Sequence, residues 1–141
     1  MEDHLKLKNQ LCFPIYAFAK EMVNHYRPLL EELQLTYPQY LVLLILWEET
    51  EQTVGQLGEK LFLDTGTLTP LLKRMEQKEM IIRSRSSTDE RVVYLSVTQK
   101  GALLRKKAED IPRQLMESMN ISEEDLNALK NIITKILNKQ K

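Results

Sequence analysis

The spacing of apolar residues, together with capping signals, predicts a chain that is helical over most of its length. Apolar side chains recur largely at steps of three and four residues, the pattern of helices that bury one face. The predicted helices cover residues 5–33, 37–48, 53–62, 65–78, 99–118 and 122–138. Pro14 lies near the start of the first segment, either in the first turn of its main helix or at a kink in a helix that begins earlier.

Polar residues mark the starts of five of these helices. Thr36, Thr53 and Ser122 each precede Gln or Asp by three residues, the spacing of a capping box. Thr98 is a plain N-cap candidate, and the helix at 65–78 begins after Asp64. Local sequence therefore predicts where these helices begin.

The pattern changes to that of strands between the fourth and fifth helices. Residues 81–85 and 91–97 are β-type runs that flank a polar stretch, which predicts a hairpin with a longer, mobile loop. Two short helices followed by such a hairpin are typical of a winged helix-turn-helix, at about residues 37–97. The apolar stripes of the flanking helices, about 5–33 and 99–138, predict a helical dimerisation layer. We therefore expect a mainly α fold with a small β-hairpin, in a single domain spanning 1–141.

Composition is that of an ordinary globular protein. The chain has 141 residues, of which 43% are hydrophobic and 28% charged, with a formal net charge of zero. A zero sum is weak evidence against nucleic-acid binding, because it can hide a local basic patch. Six basic and four acidic residues lie between Lys73 and Arg91, a local charge of +2. A modest basic patch is therefore present.

Several classes of site are excluded or disfavoured by residue content. Cys12 is the single cysteine of the sequence, so no intrachain disulfide can form and a zinc site built on cysteines is not expected. No cofactor or metal is predicted, and no set of residues indicates an enzyme. The N-terminus does not resemble a signal peptide, and the longest apolar run, 41–47, is too short to cross a bilayer. We expect a cytoplasmic protein without a membrane partner.

The helix at 65–78 is the expected DNA-reading element, because the second helix of a helix-turn-helix lies in the major groove. Three threonines near its start offer short hydroxyls and methyls to base edges: Thr65, Thr67 and Thr69. Lys73 and Arg74 would neutralise phosphates, and Pro70 is expected near the first turn, fixing the helix entry. Threonines at a helix start can also serve only as caps.

Arginines of the hairpin provide a second predicted contact with DNA. Arg83 and Arg85 are two residues apart and share one strand face, and Arg91 stands at the end of the loop. An arginine on a flexible wing suits the negative potential of a narrow minor groove. The alternative is that these arginines form a solvated face.

The segments 63–76 and 83–92 resemble the MarR family of transcription regulators, and Asp89-Glu-Arg91 matches that family's wing signature. The resemblance implies that Asp89 holds the wing in shape and that Arg91 enters the minor groove. It implies a homodimer on a pseudo-palindromic double-stranded DNA operator. The implied DNA-binding residues are Asp64, Thr65, Gly66, Thr67, Thr69, Pro70, Lys73, Arg74, Arg83, Arg85, Asp89 and Arg91.

The segments 9–13 and 35–40 resemble the thiol-based branch of that family, the organic-hydroperoxide sensors and related staphylococcal-type global regulators. The resemblance implies that Cys12 is the sensor and that Tyr26 and Tyr37, from the two chains of a dimer, hydrogen-bond it. Tyr16 corresponds to a further tyrosine near the site. The sequence departs from that branch at Pro14.

A sensor cysteine must be partly ionised, because the thiolate is the nucleophile that attacks a peroxide. The product is a sulfenic acid. Its further routes are a mixed disulfide with a low-molecular-weight thiol, a sulfenamide, over-oxidation, or a disulfide between Cys12 residues of two chains. Oxidation is expected to break the tyrosine contacts and to change the spacing of the two recognition helices, which releases the DNA.

Other functions remain open at this point. A regulator of the same family could respond to a small aromatic or lipophilic ligand, or the same thiol switch could serve a global stress and virulence regulator. A peroxide-consuming thiol enzyme would need a resolving thiol or a recycling partner. A helical interaction module that never touches DNA is the fourth alternative. We expect a repressor, although the sequence itself specifies neither the operator, nor the preferred oxidant, nor repression rather than activation.

Overall fold

A computed structural model of the chain describes residues 3–140. The chain divides into two compact units: one ends at Leu29 and resumes at Asp110, and the other spans Leu30–Glu109. The predicted division differs, with a winged helix-turn-helix at 37–97 and dimerisation helices at 5–33 and 99–138. Because it depends on how two chains assemble, it stays a prediction.

Within residues 3–140 there are seven α-helices, three strands and one short 3-10 turn, Leu7–Asn9. The helices are α1 (Cys12–Glu31), α2 (Tyr37–Glu48), α3 (Val54–Leu61), α4 (Thr65–Gln77), α5 (Gln99–Lys107), α6 (Ile111–Met119) and α7 (Glu123–Asn138). The strands are β1 (Gln52–Thr53), β2 (Ile81–Arg85) and β3 (Val93–Val97). The mainly helical fold with a small hairpin is confirmed.

The predicted caps begin their helices as expected. Thr36 and Thr53 form complete capping boxes with Gln39 and Gln56, each satisfying a backbone N–H in both directions. Thr98 accepts from the Gly101 N–H at 3.0 Å. The hydroxyl of Ser122 and the carboxylate of Asp64 likewise accept from the N–H three residues on. These boundaries follow from local hydrogen bonding.

Two predicted helices are wrong in extent. The helix predicted over 5–33 begins only at Cys12, so Pro14 lies in its first turn, where a missing N–H costs no hydrogen bond. The single helix predicted over 99–118 is two helices, α5 and α6. Pro112 has no N–H to donate to the Ala108 carbonyl, which weakens a helix at this point, and the chain turns at residues 108–110 between the two helices.

The sheet has one strand more than the sequence predicted. Strands β2 and β3 form the expected antiparallel hairpin, with Ile81 opposite Val97 and Arg85 opposite Val93. β1 pairs with the other edge of β3, giving the order β1-β3-β2. A strand of two residues has no periodicity of its own, which is why the sequence does not reveal it.

The core of the Leu30–Glu109 unit is formed by apolar side chains from α2, α3, α4 and the sheet. The residues with no exposed surface are Val42, Leu43, Leu57, Leu68, Met75 and Leu95. Because these side chains come from every layer around α4, they fix the orientation of that helix and of the hairpin beside it.

Candidate DNA-reading surface and sensor cysteine

Helix α4 presents the predicted reading residues on its solvent side. Asp64 caps the helix: its carboxylate accepts from the Thr67 N–H at 2.7 Å, and hydrogen bonding by the side chain and then by the backbone of Thr67 lowers the pKa of Asp64. Leu68, Leu71, Leu72 and Met75 point into the core. The opposite face is therefore exposed, and it contains Asp64, Thr65, Gly66, Thr67, Pro70, Lys73 and Arg74. Thr69 is half-buried.

Pro70 is not in the first turn of α4, and that expectation was wrong. It is the sixth residue of the helix, so its missing N–H removes the bond to the Gly66 carbonyl. The Thr69 hydroxyl donates to the Thr65 carbonyl at 2.8 Å. Thr69 therefore has its hydroxyl proton engaged inside the helix, and it offers lone pairs and a methyl to a partner.

The loop of the wing is held by short-range hydrogen bonds around Asp89. Its carboxylate accepts from the backbone N–H of Arg91 at 3.0 Å and from the guanidinium of Arg91 at 3.2 and 3.4 Å. These hydrogen bonds lower the pKa of Asp89. The side chain of Arg91 is nevertheless 90% exposed. Its charge is thus held at the tip of the hairpin while it stays accessible.

Two arginines of β2 are more constrained than Arg91. Arg85 donates to the Glu90 carbonyl at 2.8 Å, bridging the loop. Arg83 lies 3.9 Å from the carboxylate of Glu76 on α4, with 28% of its side chain exposed. Glu76 therefore offsets part of the positive charge of Arg83.

A groove of about 420 Å³ is lined by residues of α4, of the hairpin and its loop, and of the segment Thr53–Gly55. Thr65 and Thr69 of α4 share this lining with Arg83 and Arg91. The structure thus brings together the predicted residues of the recognition helix and of the wing, which the sequence separates by about twenty positions.

The predicted sensor cysteine is the first residue of α1, and it is exposed. No group among residues 3–140 is hydrogen-bonded to its sulfur. Tyr16, one turn further along, is 62% exposed, and the ammonium of Lys20 lies 5.4 Å from the centre of its ring. Tyr26 lies in the same helix and is half-buried. Three of the four predicted sensor residues therefore share α1.

Tyr37 belongs to the other unit, where it is the first residue of α2 and half-buried. Burial raises the pKa of Tyr37, and burial together with the nearby Tyr37 raises the pKa of Tyr40. The two rings stand 6.4 Å apart. A tyrosine phenol is protonated at neutral pH even at its ordinary pKa, and the raised pKa of Tyr37 extends this to higher pH, so Tyr37 can donate a hydrogen bond. The placement of Tyr37 next to a Cys12 stays a prediction.

Two polar groups that shape this unit were not predicted from the sequence. The Ser86 hydroxyl accepts from the N–H groups of Thr88 and Asp89, both at 3.2 Å. A serine two and three residues before such donors is the signature of a hydroxyl-capped turn, so a local signal existed. The second group is Lys78, whose side chain reaches Gln34 across 44 positions, and no local pattern indicates it.

No helix within residues 3–140 has the length and apolar character needed to span a membrane. In the same part of the chain no group of three or more His, Cys, Asp or Glu side chains is arranged to hold a metal ion.

Comparison with known proteins decides the family. Residues 24–111 match the model of the transcriptional regulators SarA/Rot. The chain is 54% identical over 135 residues to the organic hydroperoxide resistance transcriptional regulator of Bacillus subtilis, covering 96% of this chain and 92% of that protein. The chain belongs to the MarR family of transcription regulators, in the branch with that protein.

Other relatives of this MarR-family chain agree with the assignment. It is 38% identical over 133 residues to the transcriptional regulator SarZ of Staphylococcus aureus, covering 92% of this chain and 90% of SarZ. Among solved structures, reduced AbfR bound to DNA is 31% identical, with a TM-score of 0.80 and coverage of 99% and 100%. AbfR is a Staphylococcus epidermidis protein. The winged-helix fold of the chain is therefore the fold of DNA-bound regulators.

Proposed function

We propose that this chain acts as a homodimeric transcription regulator that binds a double-stranded DNA operator and loses affinity for it when an organic hydroperoxide oxidises Cys12. The observation that carries the proposal is the exposed Cys12 at the start of α1, in a chain 54% identical to an organic hydroperoxide resistance regulator. Regulators of chromosomal DNA work in the bacterial cytoplasm, which is the location we propose.

The exposed face of α4 and the wing support the DNA contacts. Thr65 and Thr67 stand at the end of α4 that faces base edges in a helix-turn-helix. Lys73 and Arg74 are exposed further along the same helix, where they can neutralise phosphates. Arg91, held by Asp89 at the tip of the hairpin, is the side chain proposed to enter the minor groove. One DNA strand then passes through the groove between α4 and the wing.

The chemistry of Cys12 follows from that of thiols. The thiolate sulfur attacks the terminal oxygen of the hydroperoxide, the O–O bond breaks, and the alkoxide takes up a proton and leaves as an alcohol. Cys12 is oxidised to a sulfenic acid and the peroxide is reduced. Tyr26, Tyr37 and Tyr16 are the residues proposed to surround the sulfur. The sequence has one cysteine, so a disulfide requires another molecule, either a small thiol or a second copy.

Oxidation is proposed to act on the assembly. Two recognition helices must be about 34 Å apart to enter successive major grooves on one face of DNA. A sulfenic acid or a bulkier product at Cys12 changes what can pack beside α1. The distance between the two recognition helices of the dimer then changes, and the affinity for the operator falls.

The experiment is a mobility shift with DNA from upstream of the chain's own gene, before and after one equivalent of cumene hydroperoxide. Wild type is expected to bind when reduced and to release the DNA when oxidised, whereas Cys12→Ser should hold the DNA in both conditions. Release by Cys12→Ser would exclude Cys12 as the sensor. A screen of random DNA sequences provides the operator if the upstream region is not bound.

A measurement of peroxide consumption separates a sensor from a thiol peroxidase. A sensor consumes about one equivalent of hydroperoxide per chain, because no second cysteine of the chain restores the thiol. Loss of many equivalents in the presence of a thiol reductant would instead indicate turnover. The same assay with Cys12→Ser gives the background rate.

A further inference from the structure

The C-terminal end of recognition helix α4 is anchored at several points. Lys78 is its C-cap, and Glu79 follows in the left-handed region at φ 61°. The Lys78 carbonyl accepts from the Lys100 ammonium at 2.9 Å, and the Glu79 carbonyl accepts from the Thr98 hydroxyl at 2.6 Å. The end of α4 is thus bonded to the junction of β3 and α5.

The side chain of Lys78 makes a different connection. Its ammonium donates to the Gln34 carbonyl at 2.9 Å and contacts Oε1 of Gln39 at 3.4 Å. Gln34 also lies in the left-handed region, at φ 58°, in the loop between α1 and α2. The carbonyl that Lys78 binds therefore belongs to a sharply turned segment, whose geometry allows little freedom.

Gln39 connects this contact to the predicted sensor tyrosine. Only 2% of Gln39 is exposed, and the same Oε1 accepts from the Thr36 N–H at 3.1 Å in the capping box of α2. Tyr37 is the first residue of α2, inside that box. One side-chain oxygen thus receives a hydrogen bond from the cap of the Tyr37 segment and a charged contact from the end of α4.

We propose that Lys78 is a positioning residue that couples the Tyr37 segment to the recognition helix. When oxidation of Cys12 changes the contacts of Tyr37, Lys78 transmits the displacement of residues 34–39 to the end of α4, and with it to the DNA-reading side chains. The proposal rests on the proposed function, since it gives that switch its path inside the reading unit. It assigns a role to a residue outside the predicted DNA contacts.

The contacts of the Lys78 side chain are expected to contribute more to coupling between residues 34–39 and α4 than to the stability of the fold. Lys78 is exposed, and exposed polar contacts of lysine contribute little to stability because water replaces them readily. A link between two segments that each have other anchors can nevertheless change how strongly their positions depend on each other. Loss of the link should therefore leave the fold and the reduced-state affinity nearly intact.

The test compares Lys78→Met, which keeps the length of the side chain but removes its donors, with Lys78→Arg, which keeps a donor. Lys106→Met is the matched control, because Lys106 is exposed on α5 and is not predicted to contact DNA. The quantity measured is the ratio of operator affinities of reduced and hydroperoxide-treated protein. Lys78→Met should lower this ratio about threefold to tenfold relative to wild type, and Lys78→Arg should restore part of it. An equal ratio in all four proteins would overturn the coupling.

A second measurement tests the link without using Cys12 at all. Coupling is reciprocal, so DNA bound to α4 must also affect the segment 34–39. In reduced wild type, Lys78→Arg and Lys106→Met, operator DNA should slow amide hydrogen exchange at Thr36 and Gln39, and in Lys78→Met this protection should be lost. If hydroperoxide does not change the operator affinity of wild type, but DNA still slows amide exchange at Thr36 and Gln39, then the proposal for Cys12 fails and the coupling through Lys78 stands. If protection persists in Lys78→Met, the link is absent.

Discussion

The two units of the chain differ in how far a single copy buries its apolar side chains. In the Leu30–Glu109 unit, α4 has four buried residues, and the strand β3 places Leu95 in the same core without exposed surface. In the other unit, α7 is a helix of sixteen residues with no buried side chain at all. Ile132 is 59% and Ile136 is 54% exposed. The Leu30–Glu109 unit therefore buries the apolar faces of its helices within one chain, whereas the apolar side chains of α7 stay exposed.

The same difference separates the predicted DNA-reading residues from the predicted sensor cysteine. Arg91 and the threonines of α4 belong to the Leu30–Glu109 unit, whose helix ends and loop are satisfied by its own hydrogen bonds. Cys12 lies among exposed apolar residues at the start of α1, beside Leu11 at 81% and Ile15 at 57% exposure. Apolar surface of this kind indicates an association site. Under the proposed function, oxidation of Cys12 would therefore act on association between chains, whereas the proposed DNA contacts lie in the unit with a buried core.

The largest effect is expected from charged residues on the apolar face of α7, which test whether that face associates with a second chain. The double change Ile132→Asp and Ile136→Asp should produce a monomer, because desolvating two carboxylates in an apolar interface is prohibitive. Operator affinity should then fall about a thousandfold, since two linked DNA-binding units bind that much more tightly than one. Sedimentation velocity gives the mass, and titration of labelled operator gives the affinity.

Asn131→Asp with Asn138→Asp is the matched control, because it adds the same charge to the same helix at polar positions. It should leave mass and affinity unchanged. A dimer that survives the isoleucine changes would mean that α7 is not part of the interface.

The next largest effect is expected in the Leu30–Glu109 unit, at Gly101. A side-chain carbon at this position would overlap the carbonyl oxygen of Met80, and the Gly101 carbonyl accepts from the Trp47 indole at 2.9 Å. Gly101→Ala should therefore cost about 3 kcal/mol in the free energy of unfolding, because backbone must move. Gly55→Ala is the control: its nearest neighbour is the Thr53 hydroxyl at 3.9 Å, so it should be neutral or slightly stabilising. Urea denaturation followed by circular dichroism measures both, and equal midpoints would contradict the packing argument.

Sequence predicted those features of the fold that depend on neighbours a few residues away. The capping boxes at Thr36 and Thr53 and the hairpin at 81–97 were predicted because their hydrogen bonds form between residues close in sequence. The third strand was missed because Gln52 pairs with Leu95, forty-three positions away. The break before Pro112 has a local signal in that proline, which the prediction of a single helix over 99–118 did not take into account.

The candidate site divides in the same way. Asp89 and Arg91 are two residues apart, and their proposed cooperation was visible in the triplet. Cys12 and Tyr37 belong to different units, and their predicted contact involves a second chain, so neither spacing nor one copy of the fold can test it. Lys78 was not predicted because its partner, the Gln34 carbonyl, is a backbone group with no sequence signature.

A smaller effect is expected at Arg91, where a substitution tests the proposed contact of this side chain with DNA. Arg91→Ala should weaken operator binding about tenfold and lower the slope of log affinity against log salt concentration by about one. Arg113→Ala is the control, because Arg113 is an exposed arginine of the other unit, paired with Glu117 and Asp110. Fluorescence anisotropy over a series of salt concentrations provides both quantities. A wild-type slope in Arg91→Ala would place Arg91 away from DNA.

The smallest expected effect concerns the cap of the recognition helix and depends on pH. The pKa of Asp64 is lowered by its hydrogen bond to Thr67, so the cap stabilises the fold above the ordinary aspartate value of 3.8 and is lost as pH falls through the lower, folded value. Asp64→Ala should therefore lower Tm at neutral pH, and the difference from wild type should shrink as the pH drops below 3.8. Asp64→Asn keeps a capping oxygen that does not titrate in this range, so its Tm should stay close to that of wild type at neutral pH. If the Asp64→Ala difference were the same at pH 7 and pH 3, the carboxylate would not be the group that holds the start of α4, and the effect of the substitution would lie in the unfolded chain.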